Sequence, residues 1–225
     1  MKLRIHSGLA FLLCAVLTVP CFGGAIVDRV VANVNGKVVL QSDWEQELAF
    51  EALLNARPAD SFTSDERNAA LDRLVDRELL REQVRPSEAA PADQVAARVT
   101  EVRKLHPTAA TEEGWRTVLQ QRGLTQSSLE KRLGEEIQLM KMVEARLRPS
   151  IQIDQHAVET YYHDELLPQL KQKGAPEVAL PEVYGRIKDL LAEQRLNQLL
   201  SGWLASLRSA SYIQTLPSTA GDQNR

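Results

Sequence analysis

Cysteine is nearly missing from this chain. Only Cys14 and Cys21 occur in 225 residues, both near the N-terminus. If the segment that carries them is removed, the remaining chain has no disulfide, no thiol nucleophile and no thiolate metal site. Aromatic residues are scarce, at 5%. There is no basic excess either: 27 Lys and Arg face 30 Asp and Glu, a net charge of −3. No basic cluster stands out, which argues against nucleic acid as a partner. No apolar run after Val19 is long enough to cross a membrane, so no stable membrane insertion is expected. A glycine-rich phosphate loop, a dinucleotide fingerprint and an H-E-x-x-H motif are all missing, which leaves no signature for a cofactor. What remains is ordinary globular composition, 44% hydrophobic and 25% charged, enough for one or two domains.

The first 25 residues read as a signal segment outside the fold. Lys2 and Arg4 make a positive start, and Leu9 to Val19 is an apolar run of h-region length. Pro20 and the small residues Gly23, Gly24 and Ala25 supply a cleavage zone. The competing reading is an uncleaved anchor. Cleavage near Ala25 removes Lys2 and Arg4 and leaves 25 basic residues against 30 acids, a net of −5. The expectation is an acidic protein exported to the periplasm by a cleaved signal.

Val27 to Leu48, VDRVVANVNGKVVLQSDWEQEL, carries the strongest local signals. Val27 to Val34 is β-branched and uncapped. Asn35-Gly36 suits a type I′ turn, whose two central residues need positive φ. Lys37 to Leu40 returns as a second strand. Apolar residues lie on both faces, so helices are expected to cover much of both. A lone hairpin is marginal in water and needs a partner strand. Ser42, with Glu45 three residues on, matches a helix capping box.

Helices are then expected over 43–54, from Ser64 as cap to near Arg85-Pro86, over 92–105 and over 112–121. A fifth runs from a Thr125 or Ser127 cap to Arg148, its inner face Leu129, Leu133, Ile137, Met140 and Leu147. A sixth covers 154–165. Residues 166–180 hold three of the prolines and glycines that break structure and read as a linker. Pro181 opens the last helix, with one stripe through Val183, Ile187, Leu190, Leu191, Leu199, Leu200, Trp203, Leu204 and Leu207. Tyr212 to Leu216 is a short extended segment, and 217–225 is a polar tail expected to be disordered.

The chemistry-bearing side chains have plain explanations. Ser128 and Lys131 form the S-x-x-K of the penicillin-recognising serine enzymes, without their K-T-G or S-D-N partners; a helix cap accounts for it. His156 and His163 are two helical turns apart and do not converge on a metal. Trp44, Trp115 and Trp203 read as core residues. Phe50, Phe62, Met142 and Leu196 fall away from the main stripes. They are candidate contacts for an apolar ligand, Met being adaptable to varied shapes, and secondary packing is the competing explanation.

Three stretches together resemble the SurA-type periplasmic chaperones: the hairpin stretch Val27 to Leu48, ALDRLVDRELLREQ ending at Gln83, and LLAEQRLNQLLSGWLASLRSASYI from Leu190 to Ile213. Gly123 to Ile153 follows the family pattern more loosely. The resemblance implies a mainly α fold. It would be a helical chaperone domain, its small β-sheet made from the N-terminal hairpin and a C-terminal strand. Residues 26–165 and 181–216 would form one domain, with the linker 166–180 standing where the family often carries a parvulin isomerase. The implied partners are unfolded exported polypeptides, outer-membrane proteins among them, held without a cofactor or metal and without catalysis; the oligomeric state stays open. Phe50, Phe62, Met142 and Leu196 would be the client contacts. Two other readings remain: a parvulin-type prolyl isomerase, and an adaptor for a single periplasmic partner.

Overall fold

The computed structural model describes residues 28–58, 60–83 and 89–216. The signal segment, the Arg85-Pro86 break and the polar tail lie outside the described residues. Strands β1 (Val30–Val34) and β2 (Lys37–Leu40) form the expected hairpin. Its turn uses positive φ at both positions, 52° at Asn35 and 91° at Gly36, as a type I′ turn requires. Strand β3 (Ile213–Thr215) pairs antiparallel with β1, so the sheet order is β2-β1-β3. The hairpin thus receives its partner from the far end of the chain, as the resemblance implied. Ala32 faces Thr215 and Val34 faces Ile213. Asn35 fastens the junction: its N–H donates to the Tyr212 carbonyl at 2.9 Å, and its side-chain oxygen accepts the Tyr212 N–H at 2.9 Å. A bulge at Val31 shifts the β1–β2 register and places Val31 and Ala32 in the interior together. Cover on the other face is thinner than expected, since Val38 is 54% exposed.

Helix α1 (Gln41–Leu54) begins two residues before the expected start. Its first turn is held by Asp43, whose carboxylate accepts the Leu40 N–H at 2.9 Å. Ser42 is no cap: its N–H and hydroxyl both donate to Asp28. Helix α2 spans Ser64–Gln83. Its cap is Thr63, not Ser64. The Thr63 hydroxyl accepts the Glu66 N–H at 3.3 Å, and Glu66 accepts the Thr63 N–H at 2.8 Å, a reciprocal pairing one residue upstream of the expected one. Helices α3 (Ala92–Lys104), α4 (Glu112–Gln120) and α5 (Gln126–Leu147) follow. Gly114 lets α4 lie against the 3-10 turn at Pro107–Ala110, because a Cβ there would come 1.9 Å from the Thr108 carbonyl oxygen.

Helix α6 (Gln155–Tyr161) continues through a π turn (Tyr162–Leu166) into α7 (Leu167–Gln172). Half of the stretch expected as a linker is therefore helical, and only 173–179 is irregular. The π turn accounts for this. Pro168 would press on the carbonyl of Asp164 in a regular helix, and the wider turn makes room. Helix α8 (Leu180–Ala210) is 31 residues long, roughly 46 Å at 1.5 Å per residue. It contacts α2, α5 and α6.

Three clusters hold the molecule. One joins the sheet to α1 and α2 through Val31, Val34, Trp44, Leu48, Val75 and Leu79. A second packs Phe50 and Leu53 of α1 against Trp115, Leu119, Leu129 and Leu133 of α4 and α5. A third sits apart, with Val158 and Tyr162 against Val183 and Ile187. The indole N–H of Trp44 donates to the Arg67 carbonyl and that of Trp115 to Gln126, both at 2.8 Å, so these two tryptophans are satisfied core residues.

Two helices turn different faces to different clusters. Trp44 and Leu48 of α1 face the sheet, while Phe50 and Leu53 lie across the helix and face α4 and α5. Along α8, Val183 and Ile187 face α6. At about 100° per residue, Leu196, Leu200, Leu204 and Leu207 form a second stripe about 80–160° round the helix from that pair. Leu196 is 4% exposed and Leu207 packs under the sheet. The single stripe expected for this helix is thus two stripes, and Leu190 is left 42% exposed between them.

Candidate functional site

A groove of about 670 Å³ runs between α1 and α2 on one side and α5 and α8 on the other. Its apolar lining is Phe50 and Leu54 from α1, Phe62 from the α1–α2 connection, Leu80 from α2, Leu139, Met140 and Val143 from α5, and Leu200 and Leu204 from α8. Met140 is 48% exposed within it. Helical spacing explains why. Met140 lies eleven residues after Leu129, three turns further along the same face. Leu129 and Leu133 find α3 and α4 to pack on. Further along α5, the same apolar face borders the groove.

Every cation in the groove lining is an arginine, and each is paired with a carboxylate. Arg73 grips Glu51 with two parallel bonds of 2.6 Å, the fork geometry that favours Arg over Lys. Arg57 donates to Glu66 at 2.7 Å and to Ser61, and its guanidinium lies 4.4 Å from the Phe62 ring centre. Phe62 therefore has one face covered by a cation that is itself neutralised.

The Glu66 carboxyl is held down at about 2, against an ordinary value of 4.5, first by the Arg57 hydrogen bond and then by the Thr63 N–H. A depressed acid contributes stability above its unfolded pKa and loses it as pH falls through the folded one. Glu66→Gln should therefore melt below the native protein at pH 7. The gap should hold down to about pH 4.5 and close towards pH 2. Melting curves of both proteins across that range check this; a constant gap at all pH values would contradict it.

The groove floor is ionic. Glu47 on α1 is 5% exposed and receives Arg77 of α2 and Arg132 of α5, the latter at 3.0 Å. Arg132 also stacks on Phe50, 4.7 Å from the ring centre. Burial lowers the Arg132 pKa, and Glu47 pulls it back up. Beyond this partition lies a second concavity of about 470 Å³, which shares Glu47, Arg77, Arg81, Arg132 and Glu135 with the first.

The four candidate contacts fare differently. Phe50 and Phe62 come together in the groove, though Phe50 is 4% exposed and offers little more than an edge. Met142 sits on the other side of α5 and does not line it; Met140, taken from the sequence as a core residue, does. Leu196 is buried at 4% and unavailable to a ligand. Leu139, Leu200 and Leu204 were missed as site residues. Their signal is an apolar stripe that runs on after the opposing helix has ended.

Ser128 and His106 lie outside the groove lining and have structural partners. Ser128 Oγ accepts the Thr125 N–H at 2.9 Å and donates to the Thr125 carbonyl at 2.9 Å, while Thr125 accepts the Ser128 N–H. The S-x-x-K pattern is the start of α5. His106 is buried and bound to the Leu53 carbonyl at 2.8 Å. Among the described residues, no group of three or more His, Cys, Asp or Glu could hold a metal ion, and no helix is long and apolar enough to cross a membrane.

A family model described as the SurA-like N-terminal domain matches residues 4–143, ending inside α5. No parvulin domain is matched. No curated protein matches the chain.

Proposed function

The chain belongs to the SurA-like N-terminal domain family, and from that premise we propose that it is an ATP-independent chaperone for unfolded exported polypeptides. Outer-membrane proteins are the clients the reading favours. The observation that carries it is an apolar groove with Met140 half-exposed in it, unfilled by any described part of the chain. Client segments would lay apolar side chains on Met140, Leu139 and Leu204. Five arginines and six carboxylates line the groove, so it is near charge balance and would discriminate little by charge. Contacts of this kind are individually weak, which allows release without nucleotide hydrolysis. The positive start and the apolar run from Leu9 to Val19 favour export, and hence a periplasmic site of action.

Light scattering from an unfolded β-barrel protein diluted out of denaturant tests the reading. Stoichiometric protein should suppress aggregation. Met140→Glu should raise the concentration needed by roughly tenfold, since burying an apolar side chain of this size is worth about 1.5–3 kcal/mol and 1.4 kcal/mol is a factor of ten. Leu190→Glu, at a comparably exposed position outside the groove, should leave suppression unchanged. No suppression by the native protein, or equal loss in both variants, would sink the groove as the client site.

A further inference from the structure

We infer that Met140 is a reversible oxidation site that switches the groove between an apolar and a polar state. The functional half of this inference rests on the client-groove reading above; the chemical half does not. Met140 and Met142 are the methionines among the described residues, and no cysteine is among them. The two methionines sit on different sides of α5. Met140 is 48% exposed and lines the groove; Met142 is half-buried and does not.

Exposure matters twice. It gives a peroxide access to the thioether. It also means the fold asks little of that side chain, so the oxidised protein keeps its structure. Oxidation of a buried methionine disrupts a core; oxidation here changes a surface. The step is a two-electron oxygen transfer. The sulfur takes one oxygen atom from hydrogen peroxide to become the sulfoxide, and the peroxide is reduced to water. The product carries a strong dipole where a client's apolar side chain would rest, in the groove that Leu139 and Val143 also line. An apolar ligand would have to desolvate that oxygen without replacing its hydrogen bonds. A sulfoxide is also restored to the thioether by the reductases specific to it, a dithiol supplying two electrons and becoming a disulfide while the oxygen leaves as water.

The test uses the full chain. Mild hydrogen peroxide treatment is followed by peptide mass spectrometry, aggregation assays and melting curves. Met140 should gain oxygen several-fold faster than Met142. Suppression of aggregation should fall several-fold while the melting temperature holds, and methionine sulfoxide reductase supplied with dithiothreitol should restore it. Met140→Leu, whatever its own starting level, should lose nothing further on treatment, and Met142→Leu should lose as much as the native protein. Equal oxidation rates at the two positions overturn the site. An equal loss of suppression in treated Met140→Leu overturns the switch. If the untreated native protein suppresses no aggregation, the groove reading and the switch fall together, and the masses still decide whether Met140 is the preferred site.

Discussion

Glu47→Ala should lower the unfolding free energy by about 3–5 kcal/mol, the usual cost of removing one partner from a buried ion pair. Two partly buried guanidiniums depend on this carboxylate. The side chains of Arg77 and Arg132 are 14% and 19% exposed, and Glu47 itself is 5% exposed. Without it, Arg77 and Arg132 repel one another and lose the carboxylate both bind, leaving Arg132 only the attraction of Glu136. Arg132 is already disfavoured as a cation by burial, so its loss of Glu47 is the more damaging. Urea denaturation measures the effect directly; a change under about 1 kcal/mol would show that water replaces the carboxylate at little cost. The same reasoning predicts that replacing all three residues by apolar ones of similar volume is far milder than Glu47→Ala alone, because the desolvation cost of the charges goes with them. The triad is then better viewed as fixing how α1, α2 and α5 sit at the groove floor than as a net source of stability.

A chain that stops at Arg195 should fail to fold. It loses Leu196, the half-buried Leu200, Leu204 and Leu207, and the strand that completes the sheet. Their burial is worth together about 5–10 kcal/mol, comparable with the whole stability of an ordinary domain, about 5–15 kcal/mol. It also loses Arg208, which binds Asp76 at 2.6 Å. Circular dichroism and thermal melting check this. A retained cooperative transition would show that the fold stands without the second half of α8 and without β3, which would demote the β1–β3 pairing from structural closure to ornament.

Much of this architecture is written locally. Asn35-Gly36 dictates its turn because few residues accept positive φ. Asp154 caps α6 by accepting the Ala157 N–H at 2.8 Å, and Thr125, one of the two expected caps, starts α5. That the hairpin needs a neighbouring strand is legible locally; that the neighbour is the C-terminal strand was implied only by the family resemblance. The illegible parts are those decided by distant contacts. Phe50 and Leu196 look out of place on a single stripe because α1 and α8 are each buried on two sides. An off-stripe apolar residue thus marked a second core face rather than a free surface. Glu47 looks like any helical glutamate; its partners are 30 and 85 residues away. Met140 and Leu133 share a face, and periodicity gives a residue's direction but says nothing about what stands opposite it. The helix through 167–172 was hidden because Pro168 reads as a breaker unless the preceding turn widens.

The pairing of β1 with β3 also sets a timetable. The hairpin emerges early from a chain made or translocated from its N-terminus, yet the N–H of Asn35 and the carbonyl of Val31 meet their partners at Tyr212 and Leu216 only when nearly the whole chain is out. Closing so long a loop costs only modestly more entropy than closing a short one, because the cost grows with the logarithm of length. The delay is the larger matter. Until residue 213 arrives, β1 presents a bare strand edge, the kind of surface on which chains aggregate. A protein proposed to shelter unfinished chains thus passes through a stage in which it is one itself.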